Sequence, residues 1–539
     1  MVVRFVRDEG KGPAPEDPGT VNALPVPPRE LLDRHGARLL DPLIATVAPD
    51  RPAPRTTVYR PGVLLIPARY LYDPATLEAI NDVLAKAGLV AVPAQTRGDG
   101  GETSLAAAQL PDLPDLPLRA LLRVRSESDP VVVDSWRGLQ YLRAAGDSGE
   151  LDRQIVDSIG IEHIFFTTPV FGGVPWETSG VGGTPWETSS AGAGSTYGRT
   201  RGVNRIPVTL NAHKPRRSER CDGRRLVIAV PDTGIGPHPW FGLKDRKTPP
   251  SGHGLLVAPD IQAEILQAEQ AASTVSTQLL TDFWDAPSTG QPLIGDIDTD
   301  TGHGTFIAGI IRQACPDADI LAIRVIHSDG VAYEADVLLV LHLLAERVKD
   351  AQQNNRPDRM VDVISLSLGY FEESPADVVY TGQLGLVIAE LTGLGVVVLA
   401  AAGNDATSRR FYPAAFADQP VAPGSGPQVI SVGALNPNTT KALFSNDAPW
   451  VRCWATGAAV VSTYPTDVSG SAEPDHKLVG RASLDPDDFS AGFAVWDGTS
   501  FAAPLAAAAV GTALIDEGDL TTIDRETVIK RARTALGKA

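Results

Sequence analysis

Cysteine is scarce in this sequence, whose 539 residues include three: Cys221, Cys315 and Cys453. Their spacing fits no metal-binding or redox motif, and an odd number argues against a disulfide framework. Long apolar runs are missing as well, because none reaches the about 20 residues that a membrane-spanning helix needs. We therefore expect neither a disulfide scaffold nor a membrane-embedded protein.

Basic residues are outnumbered, with 47 Lys and Arg against 65 Asp and Glu. The formal charge of -18 and the isoelectric point near 5.0 argue against nucleic acid or an anionic membrane as the main partner. The first residues, MVVRFVRDEGKGPAPEDPGT, lack the apolar core of a signal peptide, so we expect a cytoplasmic protein. The sequence leaves the oligomeric state open.

The first part of the chain divides into three segments. Residues 1–58 are rich in proline, and we expect them to be extended or partly disordered. Residues 59–168 contain six strand-like and helix-like stretches, which in order are GVLLIPA, DPATLEAINDVLAKAG, LVAVPA, LRALLRVRS, DPVVVDSWRGLQYLRAAG and EHIFFTT. Their β-α-β-β-α-β order predicts a smaller, ferredoxin-like α+β domain. Residues 169–224 are rich in Gly and Ser and carry PWETS twice, which indicates a flexible linker.

Residues 225–539 alternate between apolar strands and helices. The apolar stretches RLVIAV, DILAIRVI, VDVISLSLG and VVVLAAAGN are separated by helix-like segments. This pattern is typical of a parallel sheet that helices cover on both faces. In such α/β folds, functional groups collect at the carboxyl ends of the strands.

Four polar side chains are placed at that edge or at a helix start. Asp232 ends the first strand, Asn404 follows a later one, and His303 begins a helix in DTDTGHGTFIAGII. Ser500 lies in VWDGTSFAAPLAAAAVG, where we expect a helix N-terminus whose unpaired N–H groups favour negative charge. These are the components of acyl transfer, because a serine hydroxyl needs a base and an oxyanion needs donors.

The helix start around Ser500 also has a simpler explanation. Thr499 or Ser500 caps the helix, and Pro504 lies in the first turn, where a missing N–H costs little. A capped, buried helix without any chemistry accounts for this stretch equally well. Ser500 alone therefore decides nothing.

Five short motifs, taken together, resemble those of the subtilisin-like serine peptidases, the subtilases. They are DTGI at Asp232, GHGT with a following AG at His303, SLG, AAGN ending at Asn404, and GTSFAAP around Ser500. The order Asp, His, Ser along the chain is the one known for subtilisin itself. The resemblance covers residues from about 226 to the end and implies the doubly covered parallel sheet.

The resemblance also implies a role for each matching residue. Ser500 is the nucleophile, His303 the general base and then acid, Asp232 the group that orients His303, and Asn404 with the Ser500 backbone N–H the oxyanion hole. The family binds its substrate as an added β-strand. The residues implied in substrate binding are Ser367, Leu368, Gly369, Ala401, Ala402 and Gly403.

The function implied is that of a serine endopeptidase that cleaves proteins or peptides through an acyl-enzyme and needs no cofactor. The alternative is a catalytically silent subtilase fold that binds peptides as a scaffold. The intact set of catalytic residue types favours the enzyme, because a scaffold is free to lose them.

Several features depart from the family pattern. Pro231 replaces an aliphatic residue, Phe306 replaces a second histidine, and the stretches Gly236–Thr301 and Ser462–Val495 are longer than compact members need. In DIDTDTG, carboxylates alternate as in a calcium loop, but Thr301 and Ile307 occupy the positions of the required Gly and Glu. We expect a solvated acidic turn there. Structural calcium remains an option without an assignable set of ligands.

Residues 59–168 allow two hypotheses. Subtilase propeptides have a similar β-α-β-β-α-β fold and act as folding chaperone and inhibitor, so this segment is a candidate propeptide with self-cleavage in the linker that follows. The other hypothesis is an unrelated α+β domain that recruits a substrate or a partner. Fold alone does not decide between them.

Overall fold

Two β-sheets organise the part of the chain that the structure describes. In this computed structural model, the described residues are 2–6, 26–48, 51–94, 97–98, 101–102, 116–126, 130–167, 205–211, 213–219, 223–250, 252–272, 279–287, 295–373, 378–419, 426–474 and 476–538. The helices are α1 Arg29–Arg34, α2 Ala68–Leu71, α3 Pro74–Ala85, α4 Ser135–Ser148, α5 Arg153–Asp157, α6 Pro259–Ala272, α7 His303–Ala314, α8 Glu334–Gln353, α9 Val378–Gly393, α10 Thr499–Asp516 and α11 Arg525–Lys538.

The strands occur from one end of the chain to the other. They are β1 Val3–Phe5, β2 Arg38–Leu40, β3 Thr57–Pro67, β4 Leu89–Pro93, β5 Arg97–Gly98, β6 Gly101–Glu102, β7 Pro117–Val124, β8 Gly160–Phe166, β9 Ile206–Pro207, β10 Val227–Asp232, β11 Leu255–Val257, β12 Asp319–Arg324, β13 Val331–Tyr333, β14 Val363–Leu366, β15 Tyr370–Phe371, β16 Val397–Ala401, β17 Phe411–Tyr412, β18 Ile430–Leu435, β19 Cys453–Thr456, β20 Val460–Thr463, β21 Lys477–Leu478, β22 Arg481–Ala482 and β23 Phe493–Trp496.

The larger sheet has eight strands in the order β1-β19-β18-β16-β14-β10-β12-β11. From β19 to β11 every neighbouring pair is parallel. β1 pairs antiparallel with β19, and Arg4 lies opposite Trp454. The sheet is therefore mixed, and the prediction of a purely parallel sheet needs this correction. The extra strand comes from the proline-rich N-terminal segment. Its VRF stretch pairs with the backbone N–H and C=O groups of an edge strand that would otherwise be unpaired.

Helices cover both faces of this sheet, as the uninterrupted apolar strands predict. Along β10, Val227 and Ala229 belong to one core, while Ile228 and Val230 belong to the other. Successive side chains of a strand point to opposite faces, so a strand buried on both sides needs apolar residues throughout. Helices α6, α8 and α9 pack on the first face, and α7, α10 and α11 pack on the second.

The smaller sheet has the order β13-β8-β3-β7-β4, with β2 paired to β3. Strands β3, β4, β7 and β8 are antiparallel to their neighbours, and α3 and α4 connect them in the predicted β-α-β-β-α-β order. Helix α3 begins where the sequence predicts it, because the Asp73 carboxylate accepts a hydrogen bond from the Thr76 N–H. Strand β13 belongs to the C-terminal domain (residues 225–539), so the sheet spans both parts of the chain.

Each face of the smaller sheet packs on a different partner. One face, with Leu64 and Ile66, packs on α3 and α4. The other face contributes Val63, Leu65 and Phe165 to the same core as helices α6 and α8 of the C-terminal domain. Helix α6 lies in the longer-than-expected stretch Gly236–Thr301, so this insertion forms part of the contact between the two parts of the chain.

Two predicted segments have a different or an undescribed structure. Residues 1–58, which we expected to be extended or partly disordered, include β1, α1 and β2 in their described parts. Of the predicted linker, residues 169–204 with both PWETS copies lie outside the described residues. Its last part is described, and β9 pairs antiparallel with β23 of the C-terminal domain.

One helix of the described residues, α10, is long and apolar enough to cross a membrane by length and composition. This differs from the expectation that no apolar run is long enough to span a membrane. The difference arises from the series of small apolar residues that follows Ser500. Of the apolar stretch, 72% is buried inside the protein. The core of the C-terminal domain accounts for its composition.

Candidate active site

Asp232 and His303 meet at the carboxyl edge of the larger sheet. Asp232 is the last residue of β10, and His303 is the first residue of α7. The Asp232 Oδ1 atom lies 2.7 Å from His303 Nδ1 and also accepts a hydrogen bond from the Thr233 N–H. Both side chains are buried. The predicted pair of acid and imidazole is therefore present, with the Nδ1 side of the ring held by the carboxylate.

A glycine permits this close approach. A Cβ atom on Gly304 would lie 2.3 Å from the Gly234 carbonyl oxygen and 3.2 Å from Asp232 Oδ1. With hydrogen in that place, the Gly304 N–H donates to Thr233 Oγ1 over 2.8 Å. The first turn of α7 is thus seated directly on the turn that follows Asp232.

The start of α7 is capped by a residue that the sequence analysis did not identify. Gly302 adopts a φ of +86° and offers no side chain for capping. Asp285 supplies the missing acceptors: Oδ1 binds the Gly302 N–H at 3.0 Å, and Oδ2 binds Thr305 Oγ1 at 2.9 Å. A carboxylate at this end of a helix also interacts favourably with the helix dipole. Nothing in the local stretch FWDAPS marks this role.

The electrostatic surroundings of His303 are acidic. Burial by itself lowers the pKa of the imidazole, but the Asp232 carboxylate, with smaller contributions from Asp300 and Asp285, outweighs burial and holds the pKa above its ordinary value. The imidazolium form is therefore favoured relative to a histidine in water.

The helix start at Ser500 differs from the prediction. Gly498 is the N-cap residue, and the Thr499 hydroxyl accepts a hydrogen bond from the Gly403 N–H rather than capping its own helix. Pro504 lies inside α10, beyond the first turn. It lacks the N–H that would reach the Ser500 carbonyl four residues earlier. The Ser367 hydroxyl donates to that carbonyl instead, at 2.9 Å.

The Ser500 hydroxyl is engaged with the N-terminal part of the chain. Its Oγ donates to the Thr167 carbonyl oxygen at 3.0 Å and lies 3.4 Å from the Ser367 carbonyl oxygen. Among the described side chains, none is a hydrogen-bond partner of His303 Nε2, which is buried. The neighbouring residue Phe501 contacts the imidazole, with ring centroids 5.3 Å apart. The residue after Ser500 thus packs on His303, while the Ser500 hydroxyl is directed to Thr167.

Asn404 is held by the same helix start. Its Oδ1 atom accepts a hydrogen bond from the Thr499 N–H at 2.8 Å, which leaves the Nδ2 group as a donor. The loop that carries it is supported by Asn446, whose amide bonds the Ala402 carbonyl and the Asp405 N–H. Sequence reasoning missed Asn446, because its partners lie about forty positions away.

The predicted substrate segment is paired with a strand of the chain itself. Gly369 and Phe166 exchange two backbone hydrogen bonds of 2.9 and 3.0 Å, and the Thr167 N–H donates to the Gly330 carbonyl. Leu368 turns its side chain into the core, so this segment recognises a strand through its backbone. Ala401 ends β16, and Ala402 and Gly403 follow it, all three buried. The end of β8 therefore occupies the position where the resemblance places a substrate.

The turn at residues 296–302 is solvated at Asp296 but buried at its later carboxylates, which corrects part of the expectation. Asp298 and Asp300 are 7% and 1% exposed. Asp300 Oδ1 accepts a hydrogen bond from Thr167 Oγ1 at 2.6 Å, and the Arg205 guanidinium donates to the Thr299 and Asp298 carbonyls. In the described residues, no three His, Cys, Asp or Glu side chains are grouped as a metal site would require.

Phe306 and Pro231, the two departures from the family motifs, are accommodated without disturbing the site. Phe306 is fully buried and packs on Phe501 at 4.5 Å between ring centroids. Pro231 lies within β10, one residue before Asp232, at the end of the strand where a lost N–H is tolerated.

Fold and site together define an α/β protein with the components of a serine hydrolase. The chain belongs to the subtilase family, whose sequence model, described as Subtilase family (Peptidase_S8), matches residues 223–538. This finding confirms the resemblance that the five motifs carry.

Individual relatives agree with this assignment. The chain is 31% identical over 194 residues to Subtilisin-like protease 12 of Trichophyton verrucosum (strain HKI 0517), covering 35% of this chain and 43% of that protein. It is 26% identical over 337 residues to Serine protease AprX of Bacillus subtilis (strain 168), covering 58% and 62%. Subtilisin DY of Bacillus licheniformis is 29% identical over 197 residues, covering 34% and 62%. The chain thus spans 43% to 62% of the length of these curated relatives.

The close contact at Gly304 generates a prediction. Gly304→Ala places a methyl group against the Gly234 carbonyl, so α7 must shift away from Asp232. We expect a loss of about 1–3 kcal/mol in the free energy of unfolding, measured by denaturant titration.

The matched control is Gly382→Ala in helix α9, where a Cβ atom meets nothing within 4 Å. This change should leave stability unchanged or raise it by up to about 1 kcal/mol. Equal unfolding free energies for wild type and Gly304→Ala would show that the approach of α7 to Asp232 is not sterically limited.

Proposed function

We propose that the protein is a serine endopeptidase that cleaves protein or peptide substrates with Asp232, His303 and Ser500. The observation that carries the proposal is the 2.7 Å contact between Asp232 and the Nδ1 side of a buried imidazole that packs on Phe501, the residue after Ser500. In this arrangement the carboxylate fixes the ring, and Nε2 faces the reaction. The scaffold alternative gives no reason to keep a buried carboxylate on a buried imidazole, which is costly to maintain.

In the proposed first step, Ser500 Oγ attacks the carbonyl carbon of the scissile bond while His303 Nε2 takes the hydroxyl proton. Asp232 stabilises the imidazolium that forms and keeps its orientation. The attacked carbonyl oxygen becomes an oxyanion. The Asn404 Nδ2 group and the Ser500 N–H at the start of α10 are the donors available for this charge.

The tetrahedral intermediate then collapses. His303 gives its proton to the leaving amine, the C–N bond breaks, and an ester with Ser500 remains. A water molecule, deprotonated by His303, hydrolyses this ester and regenerates the serine hydroxyl. Gly369 and Gly330 hold the substrate as an added strand during both halves of the reaction, as they hold Phe166 and Thr167 in the structure.

The direct test is labelling by a serine-reactive fluorophosphonate. We expect the wild type to be labelled once the end of β8 has left the cleft, and Ser500→Ala to show no labelling, because the attacking oxygen is gone. The control is Ser490→Ala, an exposed serine in the same domain, which should be labelled like wild type. A folded wild type that takes up no label and cleaves no peptide would favour the scaffold.

A second test concerns pH. The base must be neutral to accept a proton, and its carboxylate neighbours raise the pKa of His303 above 6.5. We therefore expect kcat/KM to fall with decreasing pH and to reach half its maximum at a pH above 6.5. The measurement is peptide hydrolysis from pH 5 to 9.

Two controls accompany the profile. Far-UV circular dichroism over the same range separates titration from acid unfolding, and His476→Gln changes an exposed histidine that should not affect the profile. A rate independent of pH between 5 and 8 would contradict His303 as the base.

We further propose that residues 59–168 act as a ferredoxin-like propeptide domain that occupies the substrate cleft. Support comes from the strand order β8-β3-β7-β4 and from the position of the end of β8 between Gly330 and Gly369. The contact is also complementary in charge, with basic groups of the N-terminal part on acidic groups of the C-terminal domain. These pairs are Arg34 with Asp329, Arg119 with Asp336, and His163 with Glu334 and Glu373.

Occupancy of the cleft also accounts for the position of the nucleophile. While Thr167 is present, its carbonyl oxygen accepts a hydrogen bond from the Ser500 hydroxyl, so the hydroxyl is not directed to His303 Nε2. Departure of this strand frees the hydroxyl to rotate to the imidazole. The N-terminal domain therefore inhibits by filling the cleft, and the hydrogen bond from Ser500 to Thr167 must break before Ser500 can attack, in the first, intramolecular cut as in later ones.

This proposal predicts self-cleavage. Wild-type protein should accumulate with a new N-terminus between Thr167 and Cys221, and Ser500→Ala should remain uncut. Cleavage within one molecule should follow a rate that is independent of protein concentration. N-terminal sequencing of both forms is the measurement, and a fully active wild type without any cut in this interval would reject the propeptide.

A further inference from the structure

Two carboxylates of the C-terminal domain hold one side chain of β8. The His163 ring lies between Glu334 and Glu373, with Nδ1 and Nε2 each 2.7 Å from a carboxylate oxygen. All three side chains are at most 2% exposed. Burial alone lowers the pKa of His163, but the two carboxylates outweigh it and raise the pKa to about 10, so a cation occupies this position at neutral pH.

Apart from the backbone N–H of Glu373 itself, the described contacts of both carboxylates come from the N-terminal part of the chain. Glu334 Oε2 also accepts the backbone N–H of His163, and Glu373 Oε1 lies 3.8 Å from the Arg143 guanidinium. When the N-terminal domain leaves, two neighbouring negative charges lose these partners together. Like charges that lie this close favour a new cation between them.

The geometry of β8 fixes the distance along the strand between the Glu334 and Glu373 carboxylates and the contact at Asp300. Side chains of a strand alternate between its faces, so His163, Phe165 and Thr167 point in the same direction. Thr167 binds Asp300, Phe165 packs on the Tyr370 ring at 4.7 Å, and the His163 ring lies 4.4 Å from the same tyrosine ring. Four residues of extended chain, about 13 Å, thus separate the contact at Asp300 from the carboxylate pair.

We propose that Glu334 and Glu373 form a specificity subsite for a cationic side chain of an extended peptide substrate, four residues before the residue that contacts Asp300. The inference rests on the proposed peptidase function and adds a substrate class to it. Peptides with Lys, Arg or His at this position are preferred. The face of the Tyr370 ring next to the pair gives such a cation a second favourable surface.

The test uses the full-length protein as it matures during expression, with active sites counted by the fluorophosphonate. The substrates are internally quenched peptides that copy residues 160–167 and continue with Thr-Ser-Ala-Gly. They differ only at the position of His163, which is Lys, His, Ala or Glu. We expect kcat/KM for Lys to exceed that for Ala by about tenfold, because hydrogen bonds between charged groups are stronger than neutral ones and part of this gain is lost to solvent. The Glu peptide should be cleaved more slowly still.

A variant of the enzyme checks the same contact from the other side. Glu373→Gln should reduce the preference for Lys over Ala severalfold. The matched control is Glu346→Gln on helix α8, whose side chain is 44% exposed, and it should keep the full preference.

The outcomes separate this inference from the proposed function. Labelling by the fluorophosphonate with equal cleavage of all four peptides, or with cleavage of none of them, would overturn the subsite and leave the peptidase intact. Absence of labelling together with absence of cleavage would overturn the peptidase and the subsite with it. A preference for Lys that Glu373→Gln abolishes supports the subsite.

Discussion

The contact between Asp232 and His303 is the interaction on which the rest of the site depends. A buried carboxylate is costly unless a partner compensates its charge, and here the imidazole is that partner. The contact requires α7 to begin directly above the end of β10, which only a glycine at position 304 permits. The cap from Asp285 then satisfies the first turn of the helix without a side chain at Gly302. The charge pair, the close packing at Gly304 and the cap from Asp285 thus depend on one another.

Charge compensation of buried carboxylates also occurs in the contact between the two parts of the chain. Asp329, Asp336, Glu334 and Glu373 are buried because the N-terminal part supplies bases to each of them. Removing only one side of such pairs is strongly destabilising inside a protein, so the N-terminal part is either docked or fully replaced by water. This all-or-none character suits a domain that blocks a cleft until it leaves.

Local motifs made the chemistry of the site predictable from sequence. Asp232, His303, Asn404 and Ser500 each lie in a short stretch whose glycines and small residues fit a strand end or a helix start, and the structure brings them to one edge of the sheet. The family assignment follows from the same stretches. Their roles in catalysis stay predictions until activity is measured.

The remaining features depend on contacts between distant residues, which local patterns do not encode. Val3–Phe5 completes the sheet beside Cys453–Thr456, and the apolar pattern of three residues does not specify a strand partner so far away. Asp300 was expected in a solvated turn because its neighbours are acidic and polar. It is buried because Thr167, from another domain, covers it. Pro504 was placed in the first turn because the helix start was expected nearer to it.

Pro504 connects the strand-pairing segment to the start of the helix that carries Ser500. A proline inside α10 leaves the Ser500 carbonyl without its helical donor, and the Ser367 hydroxyl fills that place. Ser367 lies two residues before Gly369, which pairs with the strand in the cleft. One hydrogen bond thus joins the strand-pairing segment to the backbone of Ser500. An alanine in place of the proline would restore the helical hydrogen bond to the Ser500 carbonyl and make the Ser367 contact redundant. The proline therefore maintains the hydrogen bond that joins the strand-pairing segment to the serine.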